Sequence, residues 1–387
     1  MDPLRRARLA AVLLTVALVA GCASAPVAPP ERVQAALARG DQVFGLVQVP
    51  VVDPATLFAL PPDLVQKLQQ QRLRTVSHQS RLIALLDIIF GPDRHKFSYG
   101  AQGSTGAVET WSAGHGDCLS LTILTYAAAR EMGLNVQMQE VRVPAVYDRR
   151  PGVDFVNRHV NLAVNLRNET MQDMLRTRVA VIDFEPQLTG GELGRPLDEG
   201  EIVARFHNNL GSEALAAGDA VRAYGHYRAA LAADPRFAAA NSNLAVVLEQ
   251  RGLAQEAEVL LRYAITLANE PDVALAALHR LLVAQHRTAE AEVVAQQLRA
   301  AEDADPYHWI TQGVDALNQG RSRQAVAALE HAQELTHGFT EVHGWLALAY
   351  LQLGDQVHAR QQLAQLEALQ SGSPLAGKLR RKLTAMP

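Results

Sequence analysis

Residues 208–235 read NNLGSEALAAGDAVRAYGHYRAALAADP, and this stretch decides the fold of the second half of the chain. Ala223 recurs as Ala257, Ala291, Ala325 and Ala359, 34 residues apart each time. Thirteen residues before each Ala stand Leu210, Leu244, Leu278, Gln312 and Leu346. Four residues after it stand Tyr227, Leu261, Ala295, Leu329 and Leu363. Pro235 ends the first unit, and Gly211 and Gly313 hold equivalent sites. The register runs from about residue 204 to the end without slippage, so the half is a repeat array whose units cannot each bury an apolar face alone.

These positions resemble the tetratricopeptide repeat. The resemblance implies an all-α solenoid of five helical hairpins over residues 204–371. Small residues would sit where the two helices of a hairpin cross, and large ones would fill the groove to the next unit. The third unit fits least, with His279 at the small site and Ala295 at the large one. Stacked units are expected to bury a continuous core and to offer a concave surface to a protein or peptide partner. After Pro374 the sequence GKLRRKL predicts a capping helix within 372–387, with a basic solvated face. The His residues of this half have no consistent metal-ligand spacing.

Composition narrows the rest. The chain has 387 residues, 36 Lys+Arg, 40 Asp+Glu and a formal net charge of −4, which gives no reason to expect a nucleic-acid ligand. Hydrophobic residues at 48% exclude wholesale disorder, and aromatics at 5% favour close-packed helices over a large β-sandwich. Two cysteines exclude a disulfide framework and the zinc sites that need four of them.

Each cysteine has its own context. Arg5, Arg6 and Arg8 precede an apolar run from Leu9 to Ala20 that is short for a permanent membrane anchor. The run ends Leu18-Val19-Ala20-Gly21-Cys22, which resembles the lipobox of bacterial lipoproteins. That resemblance implies a signal peptide over 1–21, lipidation of Cys22, and a tether over 22–35 containing Pro26, Pro29 and Pro30. It also implies attachment to the membrane through the Cys22 lipid. With Ala23 and Ser24 following and no Asp, the expected place is the outer membrane, facing the periplasm.

The second, Cys118, lies between the tether and the repeats. Residues 31–92 read as helices. A Gly-rich approach leads to Gly114-His115-Gly116-Asp117-Cys118, and CLSLTILTYAAAREMGLNV then has helical periodicity up to Gly133. Three β-like runs follow, VQMQEVRVP, HVNLAVNL and RVAVIDFEP, so the unit reads as α+β. Cys118 falls on the first turn of its helix, where the dipole stabilises a thiolate. His159 begins one strand and Asp183 lies on the next. If those strands are neighbours, His159 can take the thiol proton and Asp183 can fix the imidazole tautomer. The backbone amides of Asp117 and Cys118 are candidate oxyanion donors.

Gly116-Asp117-Cys118, Asn157-Arg158-His159-Val160-Asn161 and Val181-Ile182-Asp183-Phe184 resemble the transglutaminase-like superfamily, a papain-like α+β fold. The resemblance covers about residues 80–190 of a unit expected over 36–200. More narrowly, the chain is similar to bacterial lipoproteins that join such a domain to tetratricopeptide repeats. It implies a Cys118–His159–Asp183 triad acting by thiol acyl transfer, with water or an amine as acceptor and amide or peptide hydrolysis ranked first. Members often carry an aromatic residue two places after the His, where this chain has Asn161. Trp111 and Gln102 are candidates for a further oxyanion side chain, and Trp111 reads equally as a core anchor.

The residues also allow plainer readings. Cys118 can be a buried small hydrophobe, His159 a satisfied strand-end residue and Asp183 a turn cap before Pro186. His115, Cys118 and His159 lack a fixed short ligand spacing, so neither metal nor cofactor is expected. Asp148-Arg149-Arg150-Pro151-Gly152-Val153-Asp154 predicts a charged loop over the site. The alternative to an enzyme is a non-catalytic adaptor for cell-envelope assembly, in which the repeats do the work.

Overall fold

The computed structural model describes residues 30–45, 49–75, 77–91, 98–99, 103–141, 147–150, 153–156, 159–166, 179–184, 193–269, 271–336, 340–369 and 374–385. The signal-peptide and lipidation expectations, Cys22 included, lie outside these residues, as does Gln102. Among the described residues no helix is long and apolar enough to cross a membrane.

The first half packs four helices and a sheet around the cysteine helix. After α1 (Pro30–Phe44) come α2 (Pro54–Leu57), α3 (Pro62–Arg74), α4 (His78–Phe90), α5 (Ala107–Ala113) and α6 (Cys118–Glu131). Caps written in the sequence start them. Asp53 caps α2 through the Ala55 amide, and Ser77 and Ser80 form a reciprocal capping box on α4. The strands are β1 (Ser98–Tyr99), β2 (His115–Gly116), β3 (Asn135–Val141), β4 (Tyr147–Arg150), β5 (Val153–Val156), β6 (His159–Asn165), β7 (Val179–Ile182) and β8 (Arg195–Leu197). Four of them form an antiparallel sheet in the order β7-β6-β3-β8. Strand side chains alternate faces. Met138, Val160, Leu162, Val164 and Ile182 meet Leu119, Ile123 and Leu124 of α6 in one buried core with Leu64, Leu68 and Leu85. The opposite face carries Gln139, His159 and Asn161.

The predicted strands appear as β3, β6 and β7. The Asp148–Asp154 stretch departs from the expected loop: β4 and β5 pair as an antiparallel ladder, Arg149 opposite Asp154. Four residues on each strand are long enough for one ladder.

Five hairpins follow: α7 (Glu199–Ala216) with α8 (Ala220–Ala233), α9 (Ala238–Gln250) with α10 (Ala254–Leu267), and α11 (Asp272–Ala284) with α12 (Thr288–Ala304). Then come α13 (Pro306–Asn318) with α14 (Ser322–Leu335), α15 (Thr340–Gln352) with α16 (Gln356–Leu369), and a single helix α17 (Pro374–Ala385). This is an all-α tetratricopeptide-like solenoid. A Cβ on Gly211 would lie 2.7 Å from the Tyr227 ring, and one on Gly313 would lie 2.5 Å from Leu329. Both glycines are therefore required by the helix crossing. The third hairpin forms with His279, half-buried, at the small site and Ala295, buried, at the large one.

Two findings depart from the expected layout. The buried residues of the array fall into two clusters rather than one, hairpins one to three and hairpins four and five with α17. The reason lies in α12, whose second half, QQLRAAEDA, is mostly polar and adds no buried residue after Ala295. And α1 belongs to the array rather than to the α+β unit, since Val33, Leu37 and Phe44 are buried with Tyr224, Leu248 and Leu260. Phe44 stacks on Tyr224 with ring centroids 4.2 Å apart. Asp41 accepts from Arg228 Nε and Nη2, both at 2.9 Å, and from the Tyr224 hydroxyl at 2.6 Å. Burial pushes the Asp41 carboxyl up, but the Arg228 and Tyr224 bonds outweigh it and hold it below the usual carboxylate value.

Helix α7 joins the halves without a linker. Its Ile202 and Val203 are buried in the α+β core, while Ala214 and Leu215 are buried in the array core. Between them His207, buried, accepts at Nε2 from the Val52 amide at 3.0 Å. An amide N–H only donates, so the His207 proton is on Nδ1, which lies 3.2 Å from Nδ1 of buried His226. Both rings are neutral in this arrangement. Burial, with the His226 charge adding to it, pushes His207 down to about 4.

Two measurements check this description. Each hairpin turn has one residue at positive φ: Gly218, Gly252, Gly320 and Gly354, and in the weak third unit His286 at φ 59°. Left-handed backbone costs an L-residue about 1–2 kcal/mol, so His286→Gly is expected to stabilise the chain by about 0.5–1 kcal/mol in urea unfolding. Because the His207 value is lowered on folding, the unfolded chain binds the extra proton first. Stability from this site is complete above about pH 6.5 and is lost as pH falls toward 4. His207→Gln is expected to flatten that part of the melting-temperature profile between pH 6.5 and 4.

Candidate active site

The local sequence sets the start of the cysteine helix. Gly114, at φ 69°, ends α5 in the left-handed conformation. Gly116 follows on β2, where a Cβ would lie 2.9 Å from Ser120 Cβ and 3.2 Å from Thr110 Cγ2, so only glycine allows the chain this close to the helix it enters. Asp117 is the N-cap and Cys118 the first helical residue. Asp117 Oδ1 accepts from the Ser120 amide at 2.7 Å and the Ser120 hydroxyl at 2.5 Å. Its Oδ2 accepts from Ser104 Oγ at 2.5 Å, which in turn accepts from Asn209 Nδ2 on α7 at 3.0 Å. The cap of the cysteine helix is thereby tied to the first hairpin of the array. Cys118 itself is half-buried, a reduced thiol packed against the α+β core.

The sheet brings the other residues in. Pairing of β6 with β7 ends at Leu162 opposite Ile182. Before that point the Val160 carbonyl accepts from Thr122 Oγ1 of α6 at 3.3 Å. Thr122 is one turn beyond Cys118, about 6 Å along the axis and on the same side of the helix. The start of α6 therefore meets the start of β6, where His159 stands. His159 Nε2 lies 2.7 Å from Asp183 Oδ1, and the two side chains are only 3% and 4% exposed. Asn161 Nδ2 donates to Asp183 Oδ2 at 2.8 Å.

Of the residues singled out in the sequence, His159 and Asp183 are directly bonded, and Cys118 is the first residue of α6, the helix packed on the alternate, apolar face of β6. The amides of Asp117 and Cys118 lie at the positive end of that helix. Trp111 is packed against the α+β core, as an anchor would be. His115 is on β2. Among the described residues no group of three or more His, Cys, Asp and Glu is arranged to hold a metal ion. Two residues of the network were not singled out for a role, Gln139 and Asn161. Period-two alternation with His159 puts Asn161 on the same strand face, which is the one signal that pointed to it. Gln139 reaches the network only through the register of β3 against β6.

No family model matches the chain. No curated protein matches it. Solved structures similar to it include tetratricopeptide proteins. YrrB, described as a TPR protein with an unusual peptide-binding site, is 18% identical, with 46% of this chain and 92% of that one covered and a TM-score of 0.25. PilF of Pseudomonas aeruginosa is 21% identical, with 48% and 85% covered and a TM-score of 0.26. A thermophilic TPR protein of Thermus thermophilus is 19% identical, with 47% and 99% covered and a TM-score of 0.25.

Proposed function

We propose that the array binds a protein or peptide partner and that the α+β unit beside it is a transglutaminase-like thiol acyl-transfer site. Partner binding is supported by the solenoid, since helical hairpins stacked in sequence are an architecture that offers a concave surface to extended segments. The observation that supports chemistry is the His159–Asp183 pair, buried and bonded at the start of the strand to which α6 docks through Thr122. In the reaction His159 takes the Cys118 proton as the sulfur attacks an amide carbonyl. The helix-start amides of Asp117 and Cys118 receive the developing oxyanion. The imidazolium returns its proton to the departing amine and a thioester remains. Water, activated by His159, then releases the acid and restores the thiol; an amine acceptor would give a cross-link instead.

Location belongs to the same proposal. A lipid on Cys22 would hold the chain at the outer membrane, facing the periplasm. Since α1 begins eight residues later, at Pro30, and packs on the array, the anchor would tether the array rather than the cysteine unit.

One observation favours the second reading, a non-catalytic adaptor for cell-envelope assembly: the same burial that makes the His159–Asp183 pair strong also withdraws it from solvent. Thiol reactivity separates the two. In the full chain, purified in detergent, iodoacetamide labelling followed at the Cys118 peptide is expected to be faster than in the urea-unfolded chain. His159→Ala should slow it at least about tenfold, the lower range of what a positioned base contributes being about a hundredfold. Labelling of Cys118 no faster than in the unfolded chain would leave only the adaptor.

A further inference from the structure

Asp183, one residue past the end of β7, Asn161 on β6 and Gln139 on β3 form one row. Gln139 is directly opposite Asn161 on β3 and β6. Asp183 is the residue after Ile182, which is opposite Leu162, so it falls beside Asn161. The row ends on a backbone group: the Gly194 amide, just before β8, donates to Gln139 Oε1 at 3.0 Å. Gln139 Nε2 donates to Asn161 Oδ1 at 2.8 Å, and Asn161 Nδ2 donates to Asp183 Oδ2 at 2.8 Å. Gln139 is 3% exposed and Asn161 0%.

We infer that Gly194, Gln139 and Asn161 are positioning residues that fix Asp183 as an acceptor and thereby set His159 in its Nε2–H form, with the lone pair on Nδ1 for the thiol proton. The inference rests on the Cys118–His159–Asp183 reading for its purpose, though not for its geometry. The direction of the row is decided at one end. A backbone N–H can only donate, so Gln139 must turn Oε1 to Gly194 and Nε2 to Asn161. Asn161 must then turn Oδ1 to Gln139 and Nδ2 to Asp183. A proton on Asp183 Oδ2 would point at that N–H, so the oxygen is held as a carboxylate acceptor. Its other oxygen faces His159 Nε2 at 2.7 Å and takes the hydrogen there. A reversed amide leaves a buried donor facing a donor, and a His159 Nε2 without its hydrogen sets a lone pair against the carboxylate; at this depth either costs the desolvation of both groups.

Gly194 is needed for the first step. A Cβ there would lie 2.1 Å from the Glu140 carbonyl oxygen, a distance no side chain survives, so only glycine brings its amide to Gln139. Asn161 also holds the place at which the superfamily often has an aromatic residue. In this chain that place carries an amide that hands the orientation of the row to the carboxylate.

The test is the state of the His159 ring, read by ¹⁵N NMR in the full chain labelled at histidine, with His159→Gln used to assign the signal. The wild-type ring is expected to show a protonated Nε2 and a lone pair on Nδ1. Gln139→Glu keeps an acceptor for Gly194 but replaces the donor to Asn161 by an oxygen. The Asn161 amide then turns over and sets Oδ1 against Asp183 Oδ2, which must take a proton, so the neutral carboxyl holds the His159 hydrogen less firmly and the ring should show a mixture of Nε2–H and Nδ1–H forms. Asn161→Leu, of similar volume, removes the donor outright and gives a second variant should the first fail to fold. Alongside, Cys118 alkylation at pH 7 should fall at least tenfold in either variant, with the melting temperature as the folding control. A wild-type ring in the Nδ1–H form overturns the inference, and so does a His159 pattern unchanged in a folded variant. If Cys118 is unreactive while the ring behaves as expected, the acyl-transfer reading fails and the positioning row stands.

Discussion

Helix α7 is buried in two cores at once, and the arrangement of the chain depends on it. Its first turns contribute Ile202 and Val203 to the core beneath the sheet, and its last turns contribute Ala214 and Leu215 to the core of the hairpins. Eighteen helical residues span about 27 Å as one rod. The stretch between is also fastened, by His207 to the Val52 amide and by Asn209 to Ser104. A helix held at both ends and in its middle leaves the halves no hinge. The first hairpin of the solenoid is therefore also packed on the cysteine unit.

The site follows the same economy of placement. An apolar strand face closes the core while the alternate face of β6 carries His159 and Asn161, so one seven-residue strand supplies both packing and polar chemistry. The cysteine helix is set by a glycine that permits contact, an aspartate that caps, and a threonine hydroxyl that docks the first turn to the Val160 carbonyl. Burial of Asp183 is tolerable because both its oxygens accept hydrogen bonds, from His159 and Asn161.

Periodic features were legible in the sequence. The 34-residue register marks out the hairpins, because Gly211, Gly313 and the alanines sit where helices must touch. The cysteine helix and the three strands were legible from their periods, and the Cys118, His159, Asp183 order from the resemblance those pieces carry. What was not legible depends on pairing. The amphipathic stripe of α1 says that it packs but not on what, and the partners of its Asp41, Tyr224 and Arg228, stand 183 and 187 residues away in sequence. The β4–β5 hairpin read as a loop because its strands are four residues each and charged. Gln139 is 22 residues from Asn161, and only the β3–β6 register makes them neighbours. The break in the array core hides in a helix of normal propensity whose second half lacks large apolar residues.

The central claim is that Cys118 forms a thioester. The direct measurement is intact-mass spectrometry of the full chain, in detergent, mixed with an activated acetyl ester. The account expects one acetyl group, located to Cys118 by peptide mapping, formed faster than on the urea-unfolded chain and then lost to water, with formation and loss both slowed in His159→Ala. An adduct at Cys118 that forms no faster than in the unfolded chain, or that His159→Ala leaves unchanged in rate, would contradict it.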